Sequence, residues 1–275
     1  MKKASVQFRE DSMRIGPMSI LSVLILSLWF GANPAIAQSS AQPALVASAA
    51  APAASADKPL PTTDEILEHY RTATGGREVW SKFTTRSTKG IYQTEDLSGF
   101  AGIEIINKAP NLSYTKTTFS NGNSVLEICD GKSAWLEDPA GNRADITGAA
   151  LDSRLHSAVF GNRADFLARS SPGRVLGTQR VGAHNTYVVS FTPDKKTSSK
   201  VYFDTDSGFV VRVDDTFQRD DGDYTVETDV DDYRPVDGAY FPFKIRHAEH
   251  GNIYTIRVTQ IRNNIPVDDT LFAKP

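Results

Sequence analysis

Cysteine is almost missing from this chain: Cys129 is the one thiol in 275 residues, so no internal disulfide can form and stability must come from a packed core. Cys129 also lies far from the N-terminus, so it cannot be the lipid-modified first residue of a mature lipoprotein. Clusters of Lys and Arg are missing too, and with a formal net charge of −3 the chain is a poor partner for nucleic acid. Catalytic signatures are equally scarce. There is no Gly-x-Ser-x-Gly elbow, no phosphate-cradling glycine loop and no dinucleotide fingerprint.

Metal-ligand spacing is not found either. His247 and His250 fall at the end of an expected strand and its turn, where residues three apart face opposite sides, and His69, His156 and His184 have no Cys or His partner at ligand spacing. The acid-rich stretches at Asp204-Thr205-Asp206-Ser207-Gly208, Asp214-Asp215, Asp220-Asp221-Gly222-Asp223 and Asp229-Val230-Asp231-Asp232 lack the distal Glu and spacing of a calcium loop; they read as turn residues. Cys129, in a strand running into a turn, reads as a buried structural thiol. No catalytic residue, metal or cofactor is expected, and a hydrolase built on paired acids is the weakest of the options.

Long hydrophobic runs are limited to one, Met18 to Phe30, shorter than the roughly 20 residues a spanning helix needs. Lys2, Lys3, Arg9 and Arg14 precede it and Ala35-Ile36-Ala37 follows, the order of a cleavable secretory signal over residues 1–37. Met13 offers an alternative start with a shorter signal. Residues 38–60 are dominated by Ala, Ser and Pro and read as a disordered tether. The expected destination is the periplasm. Without the signal, 26 basic and 31 acidic side chains remain, a net charge near −5, and residues 61–275 are expected to form one monomeric domain.

What is present is mostly alternation. Thr63 to Tyr70 carries a cap, early acids and a stripe of Ile66, Leu67 and Tyr70, and it stops at Gly75-Gly76, which predicts a helix of about three turns. A short helical turn at Glu78-Val79-Trp80 follows. From Arg86 onward, short apolar–polar alternating runs such as Ile103-Glu104-Ile105, Val201-Tyr202-Phe203 and Tyr254-Thr255-Ile256-Arg257-Val258 are separated by Gly, Asn and Asp turns. Gly148 to Ser170 breaks the pattern with Leu151, Leu155, Val159, Phe166 and Leu167 at near-helical spacing, and Pro172-Gly173 ends it. The expectation is a mainly β domain of about eleven antiparallel strands in meander order with one or two inserted helices. So large a sheet must curl, and helices over its concave face leave an apolar cleft suited to acyl chains or greasy peptides rather than charged metabolites.

Particular phrases carry a resemblance. Gly75-Gly76-Arg77-Glu78-Val79-Trp80, Asp130-Gly131-Lys132-Ser133-Ala134-Trp135 and Tyr202-Phe203-Asp204-Thr205-Asp206-Ser207-Gly208-Phe209-Val210-Val211-Arg212 are three of them. Asp232-Tyr233-Arg234-Pro235-Val236-Asp237-Gly238 with Phe241-Pro242, and Pro266-Val267-Asp268-Asp269-Thr270-Leu271-Phe272, complete the set. Together they resemble the outer-membrane lipoprotein-sorting (LolA/LolB-like) superfamily, in its exported branch, over residues 61–275. The resemblance implies a strongly curved half-barrel with helices closing the open side, around a cavity that holds lipoprotein acyl chains or other hydrophobic ligands. It also implies a functional arginine near the helical lid, for which Arg154, Arg163 and Arg169 are candidates.

The cavity is expected to be lined by Trp80, Ile103, Ile105, Trp135, Val159, Phe160 and Phe166; the alternative for each is ordinary core. The function these readings favour is a non-enzymatic carrier of a lipid or lipoprotein acyl chain. The alternative is a sensor or interaction module that binds another envelope protein through the outer face or an edge strand.

Overall fold

The computed structural model describes residues 59–95, 100–218, 222–249 and 252–274; the expected signal and all but the last two residues of the expected tether lie outside the described residues, as does His250. The first helix, α1 (Thr63–Ala73), begins with a reciprocal capping box. The Thr62 hydroxyl accepts from the Glu65 N–H, and the Glu65 carboxylate accepts from the Thr62 N–H at 2.7 Å. Its buried stripe is Ile66, Leu67 and Tyr70. Past the C-cap Thr74 the chain turns at Gly75, held at φ +107° against Gly238; a Cβ there would lie 2.4 Å from the Gly238 carbonyl oxygen, so only glycine fits both the dihedral and the contact. A short helix, α2 (Gly76–Trp80), follows.

Six strands come next: β1 (Thr85–Thr94), β2 (Ala101–Lys108), β3 (Leu112–Thr118), β4 (Ser124–Cys129), β5 (Ala134–Glu137) and β6 (Arg143–Ile146). Helices α3 (Ala149–Ala158) and α4 (Arg163–Ser170) interrupt them. Then come β7 (Arg174–Val181), β8 (His184–Phe191), β9 (Thr197–Asp204), β10 (Val210–Phe217), β11 (Tyr224–Val236), β12 (Ala239–Glu249) and β13 (Asn252–Asn263), with a 3-10 turn at Asp269–Phe272.

All thirteen strands among the described residues form one antiparallel sheet, β6-β5-β4-β3-β2-β1-β13-β12-β11-β10-β9-β8-β7. The first meander walks outward from the centre to one edge. The second starts at the opposite edge and walks back until β13 meets β1, with Arg86 opposite Asn263. The sheet is not closed, and its curvature makes it a half-barrel. This order explains the helical insertion: after β6 the chain stands at one edge and must reach the other, and α3 and α4 make that crossing over the concave side. Phe160, between them, fixes the crossing by donating its N–H to the Pro110 carbonyl in the β2–β3 turn at 2.9 Å.

The sheet has thirteen strands where the alternation predicts about eleven. One break that the alternation does not mark lies between β8 and β9, at residues 192–196. Three clusters fill the concave side. Ile66, Leu67 and Tyr70 of α1 with Ala164 and Leu167 of α4 pack on Val189, Phe191, Val201 and Phe203. Phe83, Tyr92, Phe241, Ile256 and Val258 form the second, with Val79 and Trp80 of α2 against it. Ala158 of α3 meets Cys129 and Ala134 in the third. An Arg71–Asp165 ion pair at 2.6 Å joins α1 to α4.

Of the four acid-rich stretches read as turns, residues 204–208 form one; Asp214 and Asp215 lie in β10, where they accept from Tyr202 and from Ser199 and Arg163, and Asp220 and Asp221 lie outside the described residues. Asp204 accepts from the Asp206 and Ser207 N–H groups, and Asp138 from Ala140 and Asn142. Asp229 pairs instead with Arg212 and Arg246 on the neighbouring strands.

Candidate functional site: a cavity under the helical crossing

Between the concave face and the α3–α4 crossing lies a cavity of about 560 Å³. Strand alternation supplies its walls. On β2 the inward positions are Ile103, Ile105 and Asn107; on β4 and β5 they are Val125, Glu127, Cys129 and Leu136; on β9 and β10, Val201, Val213 and Asp215. Trp80 and Phe241 close one side, and Arg154, His156 and Arg163 of the crossing form the roof. A smaller lobe of about 190 Å³ adjoins it, lined by Val159, Phe160 and Phe166. The two spaces share Arg86, Asn107, His156, Ser157, Gly161 and Arg163.

The residues expected to line the cavity therefore divide three ways. Trp80, Ile103 and Ile105 border the main space, and Val159, Phe160 and Phe166 border the lobe. Trp135 does neither. It is 2% exposed, but it sits one residue beyond Ala134, which meets α3, so its ring faces the outer side of the sheet in register with Ile128 and Asp145. Lys274 bonds Asp145 at 2.7 Å and Phe272 is buried, which places the C-terminal segment over that outer face. Burial of Trp135 is thus unrelated to the cavity.

The two arginines of the crossing are paired. Arg154 Nη2 meets the Glu127 carboxylate at 2.9 Å. Arg163 meets Asp215, which also accepts from the Ser199 hydroxyl. Arg169, the third lid candidate, is exposed at the end of α4 and does not line the cavity. Cys129 is 4% exposed, and burial pushes its thiol upward, as for an inert structural cysteine.

His247 shares a hydrogen bond with the Thr228 hydroxyl at 2.9 Å and lies against the Tyr254 ring, centroids 4.8 Å apart. Burial pulls its pKa down to about 4; Arg154 and Arg163 add to the effect and Asp215 opposes it, so the imidazole is neutral at pH 7. Its folded pKa lies below the unfolded value of 6.5, so between pH 6.5 and 4 the unfolded chain binds more protons and stability falls as pH falls. At about 1.4 kcal/mol per pKa unit, the loss on passing through that window is on the order of 2–3 kcal/mol. Urea unfolding at pH 7 and pH 4 should show this difference, and His247→Gln should remove most of it; an unchanged pH dependence in the variant would assign the effect to other groups.

One inward-facing cation lies outside the helical crossing. Arg86 on β1 stands in the same inward row as Tyr92, opposite Asn107 of β2 and Asn263 of β13. Its Nε donates to Asn263 Oδ1 at 3.0 Å. Its guanidinium lies within 5.3 Å of the Trp80 ring, 5.1 Å of Phe160 and 4.4 Å of Phe241. Its Nη2 is fully enclosed and has no hydrogen-bond partner, and burial pulls its pKa down to about 10. The family resemblance points to an arginine of the crossing, and Arg86 lies outside it. The signal was available, because an arginine two-residue steps away from Tyr92 on a strand occupies the face that should be apolar.

No family model and no curated protein matches the sequence. Solved structures do. A LolA superfamily protein from Nitrosomonas europaea superposes with a TM-score of 0.52 at 12% identity, over 78% of this chain and 99% of the other. A DUF1329 family protein from Desulfovibrio piger gives a TM-score of 0.52 at 13% identity, over 78% of this chain and 98% of the other. The fold is LolA/LolB-like. At these identities the likeness extends to the fold alone.

Proposed function

We propose that the protein is a non-enzymatic, periplasmic carrier of a hydrophobic ligand, a lipid or a lipoprotein acyl chain, held between the half-barrel and the α3–α4 crossing. The observation that carries this reading is the cavity: about 560 Å³, within the usual 300–1,000 Å³ of ligand sites, in a part of the fold where close packing would otherwise be the rule. Branched and aromatic side chains dominate its walls, and its Arg154 and Arg163 charges are already paired within the protein. A site of this kind recovers hydrophobic free energy from a tail without requiring chemistry on it.

The binding-module alternative needs a receptive edge or outer face. Among the described strands the two edges are poor templates: β6 has four residues, and β7 is interrupted by a bulge between Val175 and Gly177. The carrier reading is therefore preferred. Native mass spectrometry of the mature protein, purified without detergent, should show an adduct of lipid mass. The delipidated protein should bind the neutral apolar dye N-phenyl-1-naphthylamine with about one site per chain. Absence of both adduct and dye binding would sink the carrier reading and favour the module.

A further inference from the structure

The charges around the cavity do not balance evenly. Arg154 is matched by Glu127, Arg163 by Asp215, and His247 is neutral at pH 7. Arg86 has no carboxylate partner among the described residues. Its polar contact is the amide of Asn263, itself bonded to Asp237 at 3.1 Å, and its other neighbours are the faces of Trp80, Phe160 and Phe241. Ring faces attract the positive charge but cannot accept the in-plane N–H groups, which prefer the two oxygens of an oxyanion. A fixed guanidinium with an enclosed, unused donor is costly to bury unless something pairs with it.

Its position is as informative as its charge. Arg86 and Asn107, cross-strand neighbours, stand where the main cavity meets the smaller lobe. From there the inward positions of β2 run Asn107, Ile105, Ile103, from polar to apolar over about 13 Å at the usual rise of a strand. The lining thus has a polar end with an unmatched positive charge and a tail-shaped apolar continuation.

We propose that Arg86 is a headgroup anchor: the occupant is an anionic amphiphile whose terminal oxyanion, a carboxylate or a phosphate monoester, pairs with the Arg86 guanidinium while its tail lies along Ile105 and Ile103. This rests on the carrier reading and narrows it from any greasy ligand to one with a negatively charged oxygen head.

The test is competition against N-phenyl-1-naphthylamine with three probes sharing one tail: oleate, oleyl phosphate and oleyl alcohol. Oleate or oleyl phosphate should displace the dye from wild-type protein at least tenfold more effectively than oleyl alcohol, and the better of the two identifies the head. Arg86→Gln should bring all three within about twofold of one another while leaving oleyl alcohol unchanged. Arg86→Lys, which keeps the charge but not the fork, should retain part of the preference. Thermal unfolding of both variants checks that the fold persists, and should Arg86→Gln not fold, the wild-type and Arg86→Lys comparisons decide. Oleyl alcohol binding wild-type as tightly as oleate and oleyl phosphate overturns the anchor alone, as does an anion preference that survives in Arg86→Gln. Failure of all three probes to displace the dye, or of the dye itself to bind, overturns the anchor and the carrier reading together.

Discussion

Phe241→Ala is expected to lower the stability of the domain by about 3–5 kcal/mol and its thermal midpoint by about 10 °C. Phe241 is 3% exposed and stands where several elements converge: its ring centroid lies 4.9 Å from Trp80 of α2, 6.2 Å from Phe83 and 4.4 Å from the Arg86 guanidinium. The loss has three sources. Apolar area returns to water, the tilted aromatic contacts disappear at roughly 1 kcal/mol each, and Arg86 loses its nearest ring, leaving a buried cation less well solvated. The void cannot close easily, because the neighbouring backbone at Gly238 and Ala239 is pressed against Gly75. Differential scanning calorimetry at pH 7 measures the effect. A drop under about 3 °C would mean that this cluster is not the keystone between α2 and the sheet.

Arg86 and its surroundings also show where sequence reading succeeds and where it stops. Local rules carried the first helix: a Thr/Asp cap, early acids and a stripe of Ile66, Leu67 and Tyr70 are adjacent in the chain and give the buried face, while the cap itself falls one residue earlier than read, at Thr62, where Glu65 completes a capping box. The same holds for the alternating strands and for the break at Gly148 to Ser170, because periods of two and 3.6 are properties of short windows. The side of a strand that faces the cavity is a different matter. Ala134 and Trp135 are neighbours, and the period says only that they point apart; that α3 covers one and the C-terminal segment the other is decided by elements distant in sequence. The pairing of Arg154 with Glu127 and of Arg163 with Asp215 was out of reach for the same reason, since each joins the helical crossing to a strand through the curvature of the sheet. Arg86 was visible as an anomaly on a strand, but its meaning depends on Trp80, Phe160 and Phe241 meeting around it.

Filling the cavity should separate ligand binding from folding more sharply than any deletion. Ile105 is half-buried on β2, faces the cavity, and stands one inward step from Asn107 on the way to Ile103. Ile105→Trp puts an indole across the expected path of the tail. If it denies burial to about four methylenes at ~0.8 kcal/mol each, affinity for a long-chain probe falls by about 3 kcal/mol, on the order of a hundredfold in Kd. The same substitution in a close-packed core would cost about 1–3 kcal/mol of stability through overpacking. Here the added volume has about 560 Å³ to enter, so urea unfolding should change by less than about 1 kcal/mol. Oleate titration and urea unfolding of the one variant therefore give opposite patterns for the two cases. A carrier loses binding and keeps its stability, whereas a protein whose interior is filled in solution loses stability and has no binding to lose.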